Sequence, residues 1–176
     1  MVIELYAQQF KWTARYAGTD NKLGFANVRL IKDANVLGVD TLDALAADDK
    51  VATEIHLPVG RPVLFKFRSQ DVIHSAYMPH FRAQMNCVPG MTTQFQFTPT
   101  VTTAEMRQDA EVVGKVKRIN DIRTAKGEEA YAYDYILLCN KVCCSAHYNM
   151  QMNIVVETEA EYQKWLAEQK TIAELL

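Results

Sequence analysis

Short runs with a period of two or rich in β-branched residues recur along this chain, at residues 2–10, 54–57, 63–69, 94–98, 132–138 and 152–158. In the stretch 63–69, Val63, Phe65 and Phe67 share one face while Lys66 and Arg68 share the other, which is the alternation of a half-buried strand. Phe95 and Phe97 repeat the spacing, and Tyr131, Tyr133 and Tyr135 predict one aromatic strand face. Between these runs stand turn residues: Gly18-Thr19-Asp20-Asn21, Pro58-Val59-Gly60 and Pro89-Gly90. Short strands punctuated this way predict an antiparallel β-sandwich or a small barrel.

Two helical pieces interrupt the pattern. Thr158-Glu159-Ala160-Glu161 reads as a capping box, and Tyr162, Trp165, Leu166 and Gln169 follow it, so a C-terminal helix is expected to lay an aromatic stripe on the sandwich. Thr102-Thr103-Ala104-Glu105 offers a similar start for a shorter helix running to about residue 111. The stretch 114–129 is charge-dense, with Val116, Ile119 and Ile122 as its only β-branched apolar residues, and is expected to be an exposed excursion, a hairpin or a helical turn. Its Lys115-Val116-Lys117-Arg118 run reads as solvated.

A chain of 176 residues, 49% of them hydrophobic, can bury one sizeable core. We read one domain over residues 1–170, with a charged insertion at about 109–130 and a tail at 171–176. The 19 basic and 21 acidic side chains nearly cancel, so bulk charge gives no reason to expect nucleic acid as a partner. No window approaches the run of about 18 apolar residues that a membrane helix needs, and the first residues lack a signal-peptide pattern.

Cysteine placement narrows the chemistry. Cys139, Cys143 and Cys144 fall too close together for an ordinary disulfide framework, whose staples gain most by joining distant segments. Metal ligation is the better hypothesis, while the isolated Cys87 reads as a small buried hydrophobe. From Cys139 to Met150 the chain presents two thiols, the His147 imidazole and a thioether. Soft sulfur mixed with imidazole suits copper, and a weak Met ligand points to a redox site, although the segment alone allows several metals. One blue-type copper needs a single Cys, so the pair here could bridge two ions. His74, in Asp71-Val72-Ile73-His74-Ser75 after a predicted strand and in a turn-like context, is the candidate second imidazole. His56 and His80 read as hydrogen-bonded or surface histidines, and Met78, Met85, Met91 and Met152 as core filler.

These motifs resemble the copper domain of cytochrome c oxidase subunit II. The family pattern Cys-x-Glu-x-Cys-x-x-x-His-x-x-Met is met by Cys139, Cys143, His147 and Met150, its Asp-Val-x-His-Ser by residues 71–75, and its Pro-Gly turn by Pro89-Gly90. The stretch Glu54-Ile55-His56-Leu57-Pro58-Val59-Gly60 also matches, and the likeness runs from about Tyr6 to Leu166. The resemblance implies an all-β, cupredoxin-like Greek-key β-sandwich with a C-terminal helix. It further implies two copper ions in one CuA centre, bridged by Cys139 and Cys143, with His74 and His147 binding one ion each. Met150 would be the weak ligand of one copper and the main-chain carbonyl of Lys141 that of the other. Cys144 stands at the family's Gly position and is expected not to be a ligand.

Two departures from the pattern matter. Lys141 replaces a Glu whose side chain helps hold an interface magnesium in the family, so that site is expected to be absent or rebuilt. The family's Gln-Trp-aromatic-Trp cluster reads Gln9-Phe10-Lys11-Trp12, which puts Phe10 at the electron-uptake position and Trp12 beside it. Lys11 and Arg15 are expected to dilute the acidic docking surface that a basic cytochrome prefers.

As implied by the resemblance, the partners are cytochrome c or another cytochrome donor, oxidase subunit I, and a membrane reached through an N-terminal anchor that would precede this chain. The implied location of the parent is the periplasmic side of the bacterial inner membrane, with this piece soluble. The competing readings are a mononuclear cupredoxin carrier, the two-copper domain of nitrous oxide reductase and a zinc-stabilised interaction module.

Overall fold

A computed structural model describes residues 1–143 and 145–176. Two five-stranded sheets face each other. The first is ordered β3-β2-β1-β5-β8 and is built from β1 (Val2–Gln8), β2 (Lys11–Tyr16), β3 (Lys50–Ala52), β5 (Val63–Ser69) and β8 (Thr93–Phe97). The second, β4-β10-β9-β6-β7, uses β4 (Ile55–Pro58), β6 (His74–Met78), β7 (Ala83–Cys87), β9 (Tyr135–Cys139) and β10 (Gln151–Glu157). Ile3, Leu5, Phe65, Leu137 and Ile154 fill the space between the sheets and are fully buried. Each such side chain contributes about 1.5–3 kcal/mol relative to an exposed position.

The sandwich agrees with the alternation, but it is not purely antiparallel. β1 runs parallel to β5 and β4 runs parallel to β10, because the chain changes sheet between these partners. Residues 2–10, read as one strand, divide into a hairpin that turns at Gln9 and Phe10 and pairs Gln8 with Lys11. The apolar pattern runs straight through that turn, which hides it. β1 is buried on both faces: Glu4 and Tyr6, on its outer side, are covered by the irregular segment 18–49. His74 opens a strand and does not occupy a turn. The sequence of β6 shows no alternation because four of its five residues are buried.

The helices differ from expectation in one region. The C-terminal helix forms as read, as α3 (Glu159–Glu168), with the Thr158/Glu161 capping box in place. The expected helix at 102–111 is one turn, α1 (Thr103–Met106), followed by a separate sixteen-residue helix, α2 (Ala110–Ala125). Asp109 separates them by accepting the Glu111 and Val112 N–H groups, as an N-cap does. No residue of α2 is fully buried. A last short helix, α4 (Ile172–Leu175), inserts Ile172 beside Tyr6, Leu37 and Val39 in a second small core.

Candidate metal centre

β9 ends at Cys139 and β10 begins just after Met150, so the intervening loop is held at both ends by one ladder. The Cys139 N–H donates to the Met150 carbonyl at 3.0 Å, and the Asn140 N–H donates to Ser75 of β6 at 2.9 Å. β6 and β9 pair with Ala76 opposite Cys139, which brings His74 to the loop. A turn of 3-10 helix, His147–Asn149, returns the chain to Met150.

The donor atoms form a short chain. Cys139 Sγ lies 3.8 Å from His74 Nδ1 and 3.8 Å from Cys143 Sγ. Cys143 Sγ in turn lies 4.0 Å from His147 Nδ1 and 3.9 Å from Met150 Sδ. The Lys141 carbonyl accepts from the Cys139 thiol at 3.3 Å. Two donors sharing one tetrahedral ion at about 2.2 Å stand about 3.6 Å apart, so these separations suit ligands around metal. Among the described His, Cys, Asp and Glu residues, His74, Cys139 and Cys143 place their ligand atoms within 4.8 Å of one another. The six residues read as ligands therefore meet, with the two sulfurs in the middle, His74 and the Lys141 carbonyl beside Cys139, and His147 and Met150 beside Cys143. Cys144 lies outside the described residues.

Hydrogen bonds aim this cluster. His74 is fully buried and its Nε2 faces Asp71 Oδ1 at 2.9 Å. An Nε2–H donated to that carboxylate leaves the Nδ1 lone pair directed at Cys139. Burial pushes the Asp71 carboxyl upward, but the N–H groups of Gln9 and Val72 and the His74 ring outweigh it and hold it below its ordinary value. Sequence reasoning assigns Asp71 no role of its own, and its place three residues before a ligand histidine is the available signal. Gln9 has a role that spacing does not show: its backbone N–H donates to Asp71 Oδ2 at 2.7 Å and its side chain donates to the Cys143 carbonyl at 2.9 Å.

Phe10 and Trp12 occupy different environments. Phe10 is 49% exposed at the hairpin tip, whereas Trp12 is buried with its ring edge-on to His74, centroids 6.1 Å apart. Trp12 Nε1–H also points to the Met150 carbonyl at 3.4 Å. Arg15 is not part of this surface. It is buried beneath residues 18–49, where it pairs with Glu4 and Asp49, each at 2.9 Å. The strand pattern that continues past Trp12 does not reveal the covering segment, so the expected place of Arg15 on the docking surface is corrected.

Cys87 stands beside the cluster, opposite His74 in the β6–β7 pair, whereas His56 and His80 are held elsewhere. Burial pushes the Cys87 thiol up to about 12, which keeps it protonated. His56 is held by Glu157 at 2.7 Å and stacks on Trp165, and His80 sits edge-on to Tyr133 and Tyr135.

The family description "Cytochrome C oxidase subunit II, periplasmic domain" matches residues 1–126, which include His74 and stop before the cysteine loop. The loop is covered by a relative, the alternative cytochrome c oxidase subunit 2 of Bradyrhizobium diazoefficiens, 36% identical over 175 residues and 98% of this chain. The chain belongs to the cytochrome c oxidase subunit II family. A cytochrome c oxidase subunit 2 of Thermostichus vulcanus is 26% identical over 70% of the chain. The chain spans 52% of the first relative and 28% of the second. The crystal structure of the periplasmic domain of subunit II of cytochrome oxidase from Bradyrhizobium japonicum aligns over 95% of this chain and 91% of its own. Its TM-score of 0.57 at 18% identity shows the shared cupredoxin-like sandwich. A second structure, at TM-score 0.54 and 18% identity over 95% of this chain and 89% of its own, holds a subunit II in a mixed-disulfide intermediate with a thioredoxin-like protein. Among the described residues, no helix is long and apolar enough to cross a membrane.

Proposed function

We propose that this domain holds two copper ions and relays single electrons within a terminal oxidase. The observation that carries the reading is the donor chain, in which two thiols 3.8 Å apart each have an imidazole and one weaker donor beside them. His74, Cys139, Lys141 through its carbonyl, Cys143, His147 and Met150 would hold the metal. When bound, a copper pair supplies a one-electron couple whose charge change is spread over two ions and two sulfurs. The residues contribute constancy. The β9–β10 ladder fixes both ends of the loop, Asp71 fixes the His74 ring, and Gln9 fixes the Cys143 carbonyl, so little has to rearrange when the charge changes.

Electrons would arrive from a cytochrome at the face carrying Phe10 and pass through Trp12, which touches the His74 ring and the Met150 carbonyl. They would leave to the catalytic subunit, with no bond made or broken in this chain. The whole protein would be anchored in the inner membrane with this domain in the periplasm. Lys141 presents an ammonium where the family pattern has a carboxylate, which argues against an interface magnesium held from this chain.

Metal titration of the reduced chain tests the reading. Two coppers per chain, and displacement of any bound zinc, are expected from a bridging pair of thiolates. One copper per chain, or zinc retained against copper, contradicts it and favours the single-copper carrier or the zinc module.

A further inference from the structure

The surface over the cluster is apolar and carries a positive rim. Phe10, Val72 and Ile73 are 49%, 37% and 43% exposed, and in the cysteine loop Val142 and Tyr148 reach 87% and 85%. Gln9 ties these segments together through its bonds to Asp71 and to the Cys143 carbonyl, so the side chains share one end of the sandwich. Large apolar groups exposed together mark a contact surface.

Its charge is unlike that of the rest of the molecule. Residues 8–12, 70–75 and 140–150 contain two cations, Lys11 and Lys141, and one acid, Asp71. Both lysines are exposed. The Asp71 carboxylate is engaged by the His74 ring and by the N–H groups of Gln9 and Val72. The uncompensated charge at this end is therefore positive, although the whole chain carries −2.

We propose that this end docks an electron-carrying protein whose contact face is apolar at its centre and acidic around it, an inference that rests on the electron-transfer reading above. The lysines would steer an acidic carrier to the metal end while the acidic remainder of the chain turns it away elsewhere, so orientation is selected before contact. The apolar centre then allows close approach without deeply buried ion pairs that would slow release. A carrier with a basic contact face meets repulsion at the one place where it must touch.

Calorimetric binding of two probes, a strongly acidic c-type cytochrome and a strongly basic one, tests this on the copper-loaded chain. The acidic probe is expected to bind the more tightly, and roughly tenfold more tightly at about 0.02 M than at about 0.2 M ionic strength. The double variant Lys11→Glu/Lys141→Glu is expected to reverse the order of the probes. Lys11→Glu alone, outside the cysteine loop, is expected to give part of the shift, so a distorted loop cannot account for it. Tighter binding of the basic probe, no binding of either, or an order unchanged in the double variant overturns the proposal. So does self-association of the chain that masks the face. Copper content of the same samples separates the two readings: a lost preference with two coppers loaded sinks the docking face alone. A retained preference with one copper or with zinc supports the face while sinking the relay.

Discussion

Strand β9 carries a different kind of structure at each end. It is preceded by the charged helix α2 and followed by the cysteine loop. The loop is irregular but cross-linked: the β9–β10 ladder, Gln9 and Asp71 fix the backbone or side chains around its donors. The helix is regular but loosely attached, with no buried residue and with Val112 and Val116 only partly covered by the core. Tertiary partners therefore do not track secondary structure here, and around the described donors they are concentrated where an electron-transfer site would need unchanging geometry.

Removing a central sulfur should have the largest effect. Cys139→Ser or Cys143→Ser takes away a donor flanked by the other sulfur and an imidazole, and two-copper loading is expected to be abolished. Copper analysis checks this, and full loading of both variants would refute the bridging roles. Next comes the hydrogen bond that aims His74. Asp71→Ala leaves the buried ring unoriented, and copper affinity is expected to fall about 10–100-fold, read by competition with a chelator.

At the other end of β9 the same logic predicts stabilisation without functional change. Gly114 lies inside α2, and a methyl group there meets nothing within 4 Å. Gly114→Ala is expected to add up to about 1 kcal/mol and raise Tm by about 2–4 °C, with copper loading unaltered. A change in copper loading would show that the two ends of β9 are coupled.

The smallest effect concerns the caps. The Thr102 N–H and hydroxyl groups hold the Glu105 carboxyl below its ordinary value. A carboxylate favoured by the folded state contributes stability above about pH 4.5, and this is lost as pH falls through its depressed folded value. Wild type should therefore lose more stability between about pH 4.5 and 3 than Glu105→Gln, a difference readable in denaturant midpoints.

What could be read in the sequence divides along the same line. Cys139, Cys143, His147 and Met150 are visible because one short loop supplies all four, and their spacing survives without knowledge of the fold. His74 becomes visible through the local Asp-x-x-His pattern, but the aiming role of Asp71 depends on a hydrogen bond that spacing alone cannot show. β5 announces itself because one of its faces is only half-buried and carries Lys66 and Arg68, whereas β6 and the outer side of β1 are covered and lose their alternation. The parallel pairing of β1 with β5 arises from long-range sheet crossing, which leaves no local mark. α2 is legible only as an exposed excursion with a helical turn among its readings, because Gly114 and a weak apolar stripe disguise a full helix held by its Asp109 cap and by surface pairs such as Lys117 with Asp121.

Two metal ions that two thiolates hold as one redox unit would share a single unpaired electron between them. Electron paramagnetic resonance of the copper-loaded, oxidised chain tests it directly. One unpaired electron per two coppers is expected, with hyperfine splitting from two equivalent nuclei. A spectrum from a single copper nucleus, with one unpaired electron per ion, would contradict it.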